Sequence, residues 1–151
     1  MPPQNYNRRW RVLNYSNAVG RAHNLGGDRL FATDDPALTW LPAYSDADGS
    51  LPQDLVTDVK LWSGMERRVV QCELEMTTPG TVSFAISGPA GLKLVTGEQI
   101  VDVQPVTKVT LPAGIQKIAL FSDTKSPNAP LKLELTDAPA NTGRGRWVNG
   151  R

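Results

Sequence analysis

The chain has one cysteine, Cys72, and one histidine, His23. A lone thiol cannot close an intrachain disulfide, so the fold has to rest on burial rather than on covalent staples. The pair also falls short of the three or four nitrogen and sulfur ligands that zinc sites take, and a His-rich metal site of the cupin kind fails on the same count. Strong charge of either sign is missing too. Lys and Arg number 16 against 15 Asp and Glu, a net charge of +1, which makes no global field for nucleic acid or an anionic membrane. No apolar run approaches the length of a membrane span. The polar start Met1-Pro2-Pro3-Gln4-Asn5-Tyr6 has no apolar stretch of a secretory signal behind it. These absences predict a soluble chain with no membrane insertion and no cofactor, in a compartment they do not fix.

What is present is globular. With 151 residues, 40% hydrophobic and 21% charged, one domain can bury a core of its own. Charge is spread unevenly along it. Arg8, Arg9, Arg11, Arg21 and Arg29 precede residue 30, where Asp28 is the only acid; Arg144, Arg146 and Arg151 follow Asp137 with no acid after it. Residues 1–28, with Pro2-Pro3, five Asn and Gly26-Gly27, read as an extended basic arm with room for a short strand at Trp10 to Tyr15. Residues 138–151 read as an extended Gly- and Arg-rich tail. No stretch shows helical periodicity with caps.

Between them, residues 29–137 read as a β domain. After loops with one or two brief strands, alternation becomes regular. Val70, Cys72, Leu74 and Met76 share one face of a strand, with Gln71, Glu73 and Glu75 on the other. Val82, Phe84 and Ile86 repeat the pattern, and Leu131, Leu133 and Leu135 close it. Turn residues recur every eight to twelve positions (Thr78-Pro79-Gly80, Gly88-Pro89-Ala90-Gly91, Pro112-Ala113-Gly114), the spacing of an all-β sandwich. The predicted fold is a two-sheet antiparallel β-sandwich, jelly-roll-like, with extended terminal arms. The residues just named, with Leu92, Leu94, Val109, Ile118 and Leu120, are expected to point inward.

Candidate chemistry is sparse. A nucleophilic triad would have to use His23 as its base, yet it lies in Arg21-Ala22-His23-Asn24-Leu25 with no nucleophile motif nearby, so a packing role is expected. Asp46-Ala47-Asp48-Gly49-Ser50 opens like a calcium loop, but Thr57 stands where an EF-hand needs Glu; Asp46 and Asp48 remain a calcium candidate beside the reading as a common turn. Glu73 and Glu75 share a polar strand face and read as a solvated stripe rather than a glycosidase pair. Cys72, in phase with Val70 and Leu74, reads as an inert core thiol. Trp40, Tyr44 and Trp62 lie outside the regular strands, where aromatics stack on sugar rings or plug the ends of a sandwich. Trp10 and Trp147 sit among arginines in the arms, the residue pairing of interface hot spots.

The run Phe84-Ala85-Ile86-Ser87-Gly88-Pro89-Ala90-Gly91-Leu92-Lys93-Leu94, followed by Val109-Thr110-Leu111-Pro112-Ala113-Gly114 and Ile115 to Leu120, resembles the central hairpins of PA14-like β-sandwiches. With Leu41-Pro42-Ala43-Tyr44 and Leu131 to Leu135, the segment from about Leu38 to Ala138 resembles the C-terminal sandwich of large planctomycete-type secreted proteins that carry HEAT-like repeats, a dehydrogenase-like propeller and a c-type haem domain. The resemblance implies a sandwich fold, an accessory role and a periplasmic or extracellular setting. It supplies no catalytic residue. The adjacent aspartates that hold calcium and sugar in many PA14 domains are replaced here by Gly88-Pro89-Ala90, and no Cys-x-x-Cys-His attaches a haem.

The expectation is a non-catalytic accessory or structural module, not an enzyme. It docks onto a larger protein assembly, or onto its own copies, through Arg8, Arg9, Trp10, Arg11, Arg144, Arg146 and Trp147. The alternative is a carbohydrate-binding module using Trp40, Tyr44 and Trp62. Nucleic acid is not an expected partner.

Overall fold

The computed structural model describes residues 6–14, 17–61, 66–97, 99–123, 129–136 and 140–148; Tyr15, Trp62 and Arg151 lie outside them. Its strands are β1 (Arg9–Asn14), β2 (Thr39–Tyr44), β3 (Asp58–Lys60), β4 (Glu66–Thr78), β5 (Gly80–Ser87), β6 (Lys93–Thr96), β7 (Gln99–Asp102), β8 (Val106–Leu111), β9 (Gly114–Asp123), β10 (Lys132–Thr136) and β11 (Arg144–Trp147). They form two antiparallel sheets. The large one runs β2-β1-β4-β9-β6-β7, with β3 and β11 also on β4; the small one runs β10-β5-β8. The molecule is an all-β two-sheet sandwich.

The alternation of β4 organises it. Val70, Cys72, Leu74 and Met76 face the small sheet and meet Val82, Phe84, Ile86, Leu92, Leu94, Val109, Ile118, Leu120, Leu131, Leu133 and Leu135 in one buried cluster. Each residue expected to point inward does so. Removing a side chain of this size from water is worth about 1.5–3 kcal/mol. One edge of β4 pairs with β9 from Arg67↔Asp123 to Met76↔Gly114. The other edge takes three short strands in tandem: β3 opposite residues 66–68, β1 opposite Val70 and Gln71, and β11 opposite residues 74–78.

This tandem corrects the expectation of extended arms. The described residues of both terminal segments are built into the sandwich, where β1 and β11 pair with β4. Tyr6 bridges to Glu134 and the Asn7 amide donates to the Leu133 carbonyl, both on the small sheet; two residues later β1 has crossed into the large one. The other terminus crosses the same way. The Thr142 and Gly143 amides donate to the Thr81 carbonyl on β5, and β11 then pairs with β4. Gly80 makes this second crossing possible: at φ +146° it lies where L residues rarely go, and a Cβ there would meet Thr142 Oγ1 at 2.6 Å and the Gly143 nitrogen at 2.7 Å.

Trp10 and Trp147, expected on mobile arms, are core residues at 1% and 6% exposure. Trp10 stands between two arginines and Trp147 follows one; each is the inward member of a period-two pattern (Arg9/Trp10/Arg11, Arg146/Trp147) whose outward members are charged. The Trp10 indole N–H donates to Ser45 Oγ at 2.8 Å, and that hydroxyl donates to the Asn7 carbonyl at 3.0 Å, so the ring is buried with its polar end satisfied. The Trp147 ring lies 5.8 Å from that of Phe84.

A second correction is helical. Asn17–Gly26 forms α1, continued by a 3-10 turn at Gly27–Ala32. Its pattern is faint because, of the helix residues described, only Val19 and Gly20 are buried, with Ala22 and His23 partly so. The helix forms because the outer face of the large sheet needs a cover. Leu13, Val69, Val95, Ala119 and Phe121 point away from the small sheet and are buried under Val19, Leu30, Phe31 and Leu38. Gln71 of β4, wholly buried, donates from Nε2 to the Phe31 and Thr33 carbonyls at 3.0 and 3.3 Å, pinning the cover to the sheet.

Candidate binding face

The helical cover spans only part of the outer face. Beyond it, sheet register lays out an open half. Arg9 and Arg11 of β1 share this face with Leu13 and stand opposite Tyr44 and Pro42 of β2. Glu73 and Glu75 of β4 stand opposite Lys117 and Ile115 of β9, and Arg146 of β11 stands opposite Glu75. Tyr44 is 60% and Ile115 57% exposed. Large exposed apolar side chains on a regular strand face, with no cover, are the informative kind of surface.

Charges on this face are arranged in a chain. The Arg11 guanidinium donates to Glu73 Oε1 and to Gln71 Oε1, each at 3.3 Å. Lys117 Nζ reaches Glu73 Oε2 at 2.9 Å and Asp34 Oδ1 at 3.0 Å. Arg146 Nε donates to Glu75 Oε1 at 2.7 Å. The polar side of β4, expected as a solvated stripe, is therefore an ion-paired one, with Glu73 only 22% exposed. Arg9 and Arg144 have no ion-pair partner among the described residues.

Each expected site residue except Trp62, which lies outside the described residues, now has a place. Arg9, Arg11 and Arg146, far apart in the sequence, are brought onto one face by β1 and β11; exposed Arg144 precedes them at the β11 bulge. Arg8 is exposed at one end of the sandwich and donates to the Asp46 carbonyl. Trp10 and Trp147 are removed from any surface site by burial. Trp40 is half-buried against the helix-covered cluster, which leaves Tyr44 as the exposed aromatic of the sugar-binding set among the described residues. Lys117 and Ile115 were not singled out in the sequence. The signal was there, because both fall out of phase with Ile118 and Leu120 on β9.

The remaining candidates have structural employment. Asp48 Oδ1 accepts from the Ser50 amide and hydroxyl at 3.0 and 2.7 Å, closing the turn on itself; the Ser50 hydroxyl foremost, then its amide, holds the Asp48 carboxyl below its ordinary pKa. Among the described residues no group of three or more His, Cys, Asp or Glu is placed to hold a metal ion. His23 stacks on Phe31 at 5.5 Å and pairs through Nε2 with Asp28 Oδ1 at 2.7 Å. Cys72 is buried, and burial raises its thiol pKa far above the usual range. A small cleft is lined by Gln53, Val56, Arg68, Pro89, Leu92 and Leu131.

No helix among the described residues is long and apolar enough to cross a membrane. No family model, curated protein or solved structure matches the chain.

Proposed function

We propose that the chain is a non-catalytic accessory module that docks onto a larger protein assembly through the open half of its large sheet's outer face. The observation that carries this reading is convergence. Two terminal strands deliver Arg9, Arg11 and Arg146 to the same uncovered face that exposes Tyr44 and Ile115. Arg and Tyr flanking an exposed aliphatic group are the residue types that dominate interface energetics, and a regular sheet holds them in fixed positions, which lowers the ordering cost of binding. Docking therefore works from a rigid face and not by wrapping mobile arms.

The test uses the tagged chain in its native cells, with co-purifying proteins quantified by mass spectrometry. Tyr44→Ala and Ile115→Ser should each lose a common set of partners. Val106→Ser, at a side chain 55% exposed on β8 of the small sheet, should keep them. Loss on Val106→Ser alone, or no loss on either outer-face variant, overturns the reading.

A further inference from the structure

On the docking role just proposed, we infer that the partner presents carboxylates to this face: an acidic protein segment with aromatic or aliphatic side chains among its Asp and Glu. Some of the charge on this face is engaged internally and some remains available. Glu73 is engaged by Arg11 and Lys117, and all three are partly buried, so neither the acid nor its partners are free to meet a ligand. The arginines around it are in a different condition. Arg9 and Arg144 have no ion pair among the described residues. Arg146 is 73% exposed in its pair with Glu75, and exposed pairs of this kind hold so weakly that an incoming carboxylate can replace the internal one. The available charge is thus positive, and it comes from guanidinium groups, whose planar fork matches a carboxylate in two parallel hydrogen bonds.

The same arrangement disfavours a nucleic acid. Glu73 and Glu75 lie in the middle of the face, where a phosphate backbone tracking between the arginines would cross them, and a net charge of +1 supplies no long-range attraction. A peptide can set its carboxylates against the flanking arginines and lay an apolar side chain on Tyr44 or Ile115, leaving Glu73 bridged to Arg11 and Lys117.

The experiment follows backbone amide shifts of the full chain by NMR at low and at physiological salt. Three probes are titrated: a short peptide alternating Glu and Tyr, its Gln and Tyr counterpart, and an oligothymidylate of equal charge. The acidic peptide should bind saturably, move the amides of β1, β11 and the Glu73 to Glu75 stretch, and weaken as salt rises. The double variant Arg9→Glu with Arg144→Glu, checked to melt like the wild type, should weaken it by about tenfold or more, the loss expected when attraction becomes repulsion at two positions. No saturable binding, equal binding of the Gln peptide, indifference to the double variant, or tighter binding of the oligothymidylate each overturns the inference. If the partners lost on Tyr44→Ala prove to bind by a neutral surface, the docking face stands and only its carboxylate chemistry falls.

Discussion

Replacing Trp147 by Ala separates a structural last strand from a free tail. The indole is 6% exposed and packs beside Phe84 in the core between the sheets. Truncating a buried aromatic costs about 3–5 kcal/mol through lost transfer energy and the cavity left behind. In a domain of this size each kcal/mol moves the melting temperature by about 2–4 °C, so the expected drop is about 6–20 °C. The loss has a second part, because the ring anchors β11. Without it the β4 edge from Leu74 to Thr78 loses the strand that covers it. Calorimetry and urea unfolding read both effects. Arg146→Ala on the same strand is the control: its pair with Glu75 is exposed, and such pairs contribute about 0–1 kcal/mol. A Trp147→Ala chain melting within about 2 °C of wild type would refute the placement of β11 and restore an extended tail.

Other consequences follow from single residues. Gln71→Leu strands the Phe31 and Thr33 carbonyls beneath the helical cover and should cost about 1–3 kcal/mol in urea unfolding; a neutral effect would mean the cover is not pinned there. Cys72 should resist iodoacetamide in the folded chain and react once urea opens it, since burial keeps the thiol protonated; rapid native alkylation would contradict its place in the core. The Asp48 carboxyl is held below its ordinary value of 3.8. Its stabilisation is therefore present above that value and lost as pH falls through the folded pKa. The melting-temperature gap between wild type and Asp48→Asn should accordingly be full at neutral pH and shrink in acid, and a gap that grows in acid would reverse the assignment. His23→Ala should lower stability by removing the contact with Phe31 and leave binding at the open face unchanged; a binding loss with stability intact would place His23 in the site.

The inter-sheet core was legible because each of its main strands carries three or four apolar residues in phase, and no helix reproduces that pattern. The terminal strands carry one or two, Trp10 with Val12 and Trp147 alone, set among arginines that read more readily as a basic arm. Their burial depends on a long-range fact, the length of β4. It outruns β1 and leaves edge for β3 and β11. The helix was hidden for a related reason: it buries few residues of its own and exists to cover Leu13, Val69 and Phe121, which belong to distant strands. Of the candidate face, Arg9, Arg11, Arg146 and Tyr44 could be named from residue type. Their convergence could not, because it follows from antiparallel register across three strands.

Photo-cross-linking from defined positions tests the docking face most directly. A photoreactive residue is placed in turn at Tyr44, Ile115 and Val106 of the full chain, irradiated in native cells, and its adducts identified by mass spectrometry. The account predicts the same protein adduct from positions 44 and 115 and none of it from position 106, with the attached peptide rich in Asp and Glu. An adduct from position 106 with positions 44 and 115 silent would contradict it, and would move the interface to the small sheet.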